Sequence, residues 1–187
     1  QLSSVWDTTH GQLGTLVEEI NATARTVAEL NQSVVASTNN GQQANDLMDK
    51  RDLAVMKLSE LTGATATARP DGSVDVLLGG SSLVAGSTAR QLLPPSGGRE
   101  LADAQAGTLV RVQWADGTNA AVSASSGKLA AELQALNSTL PGYATRLDEV
   151  AANLADAVNT AHAEGQTDLG VQGGLFFGPP PPEDVTA

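Results

Sequence analysis

Apolar residues in the N-terminal segment recur in steps of three and four. Leu13, Leu16, Ile20, Val27, Leu30 and Val34 fall on one line, with Thr23 filling the skipped place. This is the a/d alternation of a heptad seam, and it predicts a helix over about 8–38. At 1.5 Å per residue such a helix spans roughly 45 Å. The polar run Ser37-Thr38-Asn39-Asn40-Gly41 ends it, with Gly41 as the stop. A second helix is expected over 45–61, capped by Asn45 or Asp46. Leu47, Ala54, Leu58 and Leu61 form its apolar face, and Gly63 closes it.

From 64 to 124 the period changes to two. Thr65-Ala66-Thr67-Ala68-Arg69 and Val74-Asp75-Val76-Leu77-Leu78 alternate about a turn at Pro70-Asp71-Gly72, which predicts a β-hairpin. Ser82-Leu83-Val84-Ala85-Gly86 and Arg90-Gln91-Leu92-Leu93 read as short strands. A second hairpin is expected from 109–114 and 120–123 around Ala115-Asp116-Gly117-Thr118, with 94–107 as a polar connector. Helix returns at Gly127-Lys128-Leu129 and runs to about Leu140, where Pro141 kinks or restarts it. Tyr143, Leu147, Val150, Leu154, Ala157 and Ala161 then make a second heptad seam, the natural partner of the first. The tail 179–187 reads as extended and disordered.

The pattern gives an α+β fold. It is an elongated helical bundle with heptad-patterned long helices and a small inserted β-hairpin domain. The helical part comprises 1–62 and 127–178, and the β domain 63–126.

Composition narrows the function. The 187 residues are 41% hydrophobic but only 3% aromatic, so the core must be built from Leu, Val and Ala. A net charge of −11 disfavours nucleic acid and anionic membrane surfaces as partners. With no cysteine there is neither disulfide nor thiolate chemistry. No apolar run approaches the ~20 residues of a membrane-spanning helix. The N-terminal residues lack a basic start and an apolar h-region, so no signal peptide is expected there. The chain starts without Met, as expected of a piece of a longer protein.

Two clusters invite a chemical reading. Asn45-Asp46-Leu47-Met48-Asp49-Lys50-Arg51-Asp52 is the densest charge run. Asp46 or Asp49 with Asp52 would make an acid–base pair, but no nucleophile or metal set stands nearby. Arg51 lies on the apolar stripe between Leu47 and Leu58, so a structural ion pair with a carboxylate is the favoured reading. Near the C-terminus, His162, Asp168 and Asp156 or Asn159 would form a metal set. One histidine and scattered carboxylates match no zinc or calcium spacing. The favoured reading places His162 at a helix C-terminus, Gly165 as the stop, and Phe176 and Phe177 as loop anchors. The glycine-rich stretches Gly79-Gly80-Ser81-Ser82 and Ser96-Gly97-Gly98-Arg99 lack P-loop and dinucleotide spacing, and read as turns.

The run 45–52 resembles the Asn-Asp-Leu-Leu-Asp-Gln-Arg-Asp motif of bacterial flagellar hook-associated proteins, nearest to the first of them, which forms the hook–filament junction. Lys50 stands for the usual Gln and Met48 for Leu. Further features agree in order. They are Gly72-Ser73-Val74-Asp75-Val76, Ser82-Leu83-Val84-Ala85-Gly86, Gly127-Lys128-Leu129, and Leu140-Pro141-Gly142-Tyr143 through Leu147-Asp148. Val158-Asn159, His162, Gly165, Asp168-Leu169, Gly173 and Phe176-Phe177 resemble the family's Val-Asn-x-x-His-x-x-Gly-x-Asp-Leu…Gly…Phe-Phe signature.

The resemblance implies a structural component of the flagellum, an adaptor at the hook–filament junction exported by the flagellar secretion apparatus to the cell exterior. It implies no enzymatic activity and no cofactor. Its partners would be hook protein and other hook-associated proteins, met by the full-length parent, with self-association through terminal helices outside this central fragment. The residues carried over, Asp46, Leu47, Asp49, Arg51, Asp52, Asn159, His162, Gly165, Asp168, Leu169, Phe176 and Phe177, are structural under this reading. The alternatives are another extracellular filament or phage-tail adaptor, or a small metal- or glycan-binding module using His162, Asp168 and Asp52.

Overall fold

The computed structural model describes residues 1–166, 168 and 170–178; Leu169 and the expected tail at 179–187 lie outside the described residues. The chain divides into two units, Gln1–Pro141 and Gly142–Ala187.

Helix α1, Leu2–Asn39, is the spine of the first unit. It starts earlier than the seam predicted because Trp6 extends the buried face toward the N-terminus. Leu13, Leu16 and Ile20 are buried as expected, and so are Val17, Ala24, Val27 and Ala28 beside the seam. Leu30 is only half-buried, whereas Asn31 next to it is fully enclosed. The buried face is therefore broader than a two-helix seam, as befits a helix covered by more than one layer.

Two shorter helices line α1 in series. Helix α2, Asn45–Thr62, lies against its C-terminal part, with Lys57 Nζ 2.6 Å from Glu19 Oε1. Helix α4, Gly127–Gln134, lies against its N-terminal part. The expected side-chain cap of α2 is not formed. Ala44 holds the cap position without a side-chain bond, and Asn45 and Asp46 are already inside the first turn. Asp46 there places a negative charge in the first turn, where the helix dipole favours it.

The β element leaves this column at Gly63 and returns at Gly127. Both glycines have positive φ, +69° and +78°. A Cβ on Gly127 would approach Thr62 C to 2.7 Å, and one on Gly63 would approach Ser126 C to 2.9 Å. Neither position accepts a side chain, so the two strands of backbone cross in direct contact. That crossing closes the insertion.

Strands β1 (Thr65–Ala68), β2 (Val74–Leu78), β3 (Ser81–Ala85) and β4 (Thr88–Ala89) form an antiparallel meander in chain order. The first hairpin is as predicted, with Ala68 opposite Val74 and Thr65 opposite Leu77. Its turn is pinned by Asp71 Oδ1, which accepts from the Ser73 N–H at 2.9 Å and hydroxyl at 2.6 Å. The second hairpin is not a regular pair of strands. Isolated bridges join Gln113 to Ala121, Leu92 to Trp114 and Ser96 to Arg111. Leu93 N donates to Gln113 O at 2.8 Å and Ser96 N to Arg111 O at 2.9 Å, but Pro94 and Pro95 between them carry no N–H and interrupt the ladder. The connector 94–107 also contains an unforeseen short helix, α3, Leu101–Gln105. Asp103 caps it by accepting from the N–H of the N-cap residue Glu100 at 3.3 Å, and it also accepts from the Arg99 N–H at 2.7 Å; Leu101 and Ala104 turn into the core.

The predicted disturbance at Pro141 has a specific form. Residues Ala135–Thr139 make a π-turn, in which the Leu140 N–H reaches back to Ala135 O. In that register residue 141 would donate to Leu136 O, but proline has no N–H. The indole of Trp6, itself fully buried, donates to Leu136 O instead at 3.2 Å. A carbonyl freed by a proline is thus satisfied from across the core.

In the second unit α5 (Leu140–Glu164) continues. Here the seam expectation is corrected. Tyr143, Leu147, Val150 and Leu154 are 53–63% exposed. Heptad spacing identifies a face suited to burial, and it does not name what covers that face.

Candidate functional site

The residues singled out by sequence fall into two places. In the first unit Arg51 is buried on α2. Its Nη1 donates to Gly72 O at 2.7 Å, while Nε and Nη2 both reach Asp52 Oδ1 at 3.0 and 2.9 Å. The guanidinium thus ties α2 to the turn of the first β-hairpin. Asp52 lies largely in solvent and serves as the counter-charge. Leu47 is half-buried, and Asp46 and Asp49 are exposed. Asp52 is thus engaged by Arg51, and among the described residues these carboxylates form no gathered group of three.

In the second unit the chain leaves α5 after Glu164 and folds back. Gly165 N donates to His162 O at 3.2 Å. Asn159 Oδ1 accepts the N–H groups of Phe176 and Phe177 at 2.9 and 2.8 Å, and its Nδ2 donates to Phe177 O at 3.1 Å. His162 Nδ1 lies 2.6 Å from Gly174 O. A carbonyl only accepts, so Nδ1 carries the proton. Gly173 passes so close to the helix that a Cβ there would stand 3.0 Å from His162 Nδ1. The rings of Phe176 and Phe177 stack edge to face at 5.0 Å yet remain 63% and 42% exposed. The loop is held by main-chain bonds to Asn159 and His162, not by side chains plugged into a core. Asp168 is exposed in the turn, and among the described residues no three His, Cys, Asp or Glu side chains gather in a metal-binding group.

Sequence reasoning missed the residues that join the layers. Three further asparagines repeat the Asn159 device. Asn31 donates to Val74 O and Gly86 O at 2.7 Å each, and accepts from Val74 N at 3.0 Å. Asn21 donates to Leu92 O at 2.9 Å and accepts from Leu92 N at 2.8 Å. Asn137 does the same with Val110, at 2.8 Å both ways. Each carboxamide pairs with the main chain as a neighbouring strand would. The signal was present: asparagine is a poor helix former, so its use inside α1 demands a compensating bond.

Electrostatics sharpen one turn. The Thr118 hydroxyl and N–H, followed by Arg90, hold the Asp116 carboxyl at about 2. Arg90 pairs with Asp116 and lies over the Trp114 ring, 4.1 Å from its centroid. The whole arrangement fixes elements against one another.

Comparison with known proteins agrees with that character. Residues 1–177 match the family model described as flagellar hook-associated protein FlgK helical domain. Flagellar hook-associated protein 1 of Escherichia coli (strain K12) is 32% identical over 175 residues, covering 88% of this chain and 30% of that protein. The flagellar hook junction protein FlgK from Burkholderia pseudomallei superimposes with a TM-score of 0.65 at 26% identity, covering 94% of this chain and 33% of that one. The chain thus spans about a third of the length of the relatives it matches. Both are named for a place in the flagellum, not for a reaction. The chain belongs to the FlgK helical-domain family of flagellar hook-associated proteins.

Proposed function

We propose that this chain is the helical column of a structural adaptor at the hook–filament junction of the bacterial flagellum, working outside the cell after export by the flagellar secretion apparatus. The match of the family model over residues 1–177 carries this reading. The mechanism is mechanical. The helix α1, lined in series by α2 and α4, supplies a continuous buried face from Trp6 to Val34. Arg51 and the asparagine clamps lock the β element onto that column, so that load meets hydrogen bonds between elements and not one hydrophobic contact alone. The longer parent would engage hook protein and other hook-associated proteins, and would self-associate through terminal helices outside this segment. The reading invokes no catalysis and no cofactor.

The test is genetic. The gene for the full-length parent is deleted, filaments are counted by electron microscopy, and flagellin is assayed in the medium. Finished hooks without filaments, with flagellin lost to the medium, are expected. Normal filaments on the deletion strain would overturn the junction role.

A further inference from the structure

Glu132 sits on α4 between Leu129 and Leu136, both fully buried, and is itself only 9% exposed. A carboxylate so placed is ordinarily paired. Here Oε2 has no hydrogen-bond partner, and Oε1 lies 4.0 Å from Lys128 Nζ, one turn back and at the limit of ion-pair range. The Lys128 side chain is mostly in solvent, so its charge is screened.

The other charged groups around the joint are already engaged or turned away. On α1, between the Trp6–Leu136 bond and the level of Glu19, lie Asp7, His10, Glu18 and Glu19. Asp7 and Glu18 are exposed. His10 is stacked on the Trp6 ring at 5.1 Å, and Glu19 is paired with Lys57 of α2. Glu60 of α2 is exposed, and the π-turn carries no titratable group. Desolvation therefore dominates, and Lys128 only partly offsets it, so the carboxyl is pushed above its ordinary value.

We propose that Glu132 is a proton-operated lock of the α1–α4 joint: the joint is built to hold the neutral acid, and ionisation as pH rises loosens α4 from α1. The sign follows from linkage. The folded value lies above the 4.5 of the unfolded chain. The stabilisation is fully present below 4.5 and is lost as pH rises through the folded value.

Thermal melts of the 187-residue chain and of Glu132→Gln test this, from just above the isoelectric point of about 4.4 to mildly alkaline pH. The Gln variant keeps the shape and removes the charge. It should melt above the wild type at neutral pH, with the gap closing toward acid. A gap that is independent of pH, or a Gln variant that melts lower at neutral pH, would overturn the proposal. A second readout needs no variant. Carboxyl ¹³C titration of the wild type should place Glu132 above 4.5, and a value at or below 4.5 would equally overturn it.

Discussion

The bond from Trp6 to Leu136 O offers a quantitative test of how the π-turn is stabilised. Trp6→Phe removes the indole N–H and leaves Leu136 O buried beside a proline that has no N–H to offer. An orphaned buried carbonyl costs about 1–3 kcal/mol. The smaller ring adds about 1 kcal/mol of cavity cost in a fully buried site. The single variant should therefore lose about 2–4 kcal/mol. Pro141→Ala restores an N–H at the position whose π-register acceptor is Leu136 O. Alone it should cost about 0.4–1 kcal/mol, because the unfolded chain regains freedom.

In the double variant the new N–H can take the acceptor that Trp6 vacated. The polar part of the Trp6 loss is then recovered, and the two changes should be less than additive by about 1–2 kcal/mol. Urea unfolding of all four proteins, followed by far-UV circular dichroism, measures the cycle. Additivity within about 0.3 kcal/mol would mean that the indole and the proline do not compete for one carbonyl, and the account of the π-turn would be wrong.

Three further outcomes are expected. Asn31→Leu keeps the bulk but orphans Val74 N, Val74 O and Gly86 O, so urea unfolding should show a loss of about 2–4 kcal/mol; a loss under about 1 kcal/mol would deny the clamp its role. Leu154→Asp, which a buried seam would make costly by several kcal/mol, should shift the unfolding free energy of this chain by no more than about 0.5 kcal/mol, since Leu154 is 61% exposed. Thr118→Ala should raise the Asp116 carboxyl from about 2 toward its ordinary value in a ¹³C titration, and by more than Arg90→Lys does, because the Thr118 hydroxyl is the largest influence. The lowered Asp116 value supplies stability that is present above the ordinary 3.8 and lost as pH falls through about 2, so the acid limb of the stability curve should flatten in Asp116→Asn.

The sequence made the local periodicities legible. The α1 seam, the first β-hairpin, the Gly63 stop and the return of helix at Gly127 are each written within a few residues. Arg51 was legible as a charge on an apolar stripe, because burial of a guanidinium demands partners whatever they turn out to be. What the pattern lacked was the identity of distant partners. Tyr143, Leu147, Val150 and Leu154 announce a face and stay exposed. Pro141 announces a break, but only the fold reveals that Trp6 answers it. Helix α3 was hidden because its one turn is stabilised by Asp103 and two buried contacts, too short a run for any period to register.

The broken sheet shows why such partners matter. Segments 91–96 and 110–115 cannot complete a ladder, because Pro94 and Pro95 interrupt one of them. On the side of these segments away from their mutual bridges, the main-chain groups of Leu92 and Val110 are met by Asn21 from α1 and Asn137 from the π-turn. An asparagine has the short, planar amide of a peptide on a single methylene, so it presents a donor and an acceptor at strand spacing from a helix surface. The helices therefore finish the edges of the sheet, and strand alternation could not have foretold a ladder half made of side chains. The same substitution of amide for strand recurs at Asn31 and Asn159. A helix clamped in this way cannot slide along its sheet without breaking paired bonds at fixed positions, whereas an apolar contact alone would tolerate a shift of register. That resistance to slip is the property that Asn21, Asn31 and Asn137 add to a core built largely of Leu, Val and Ala.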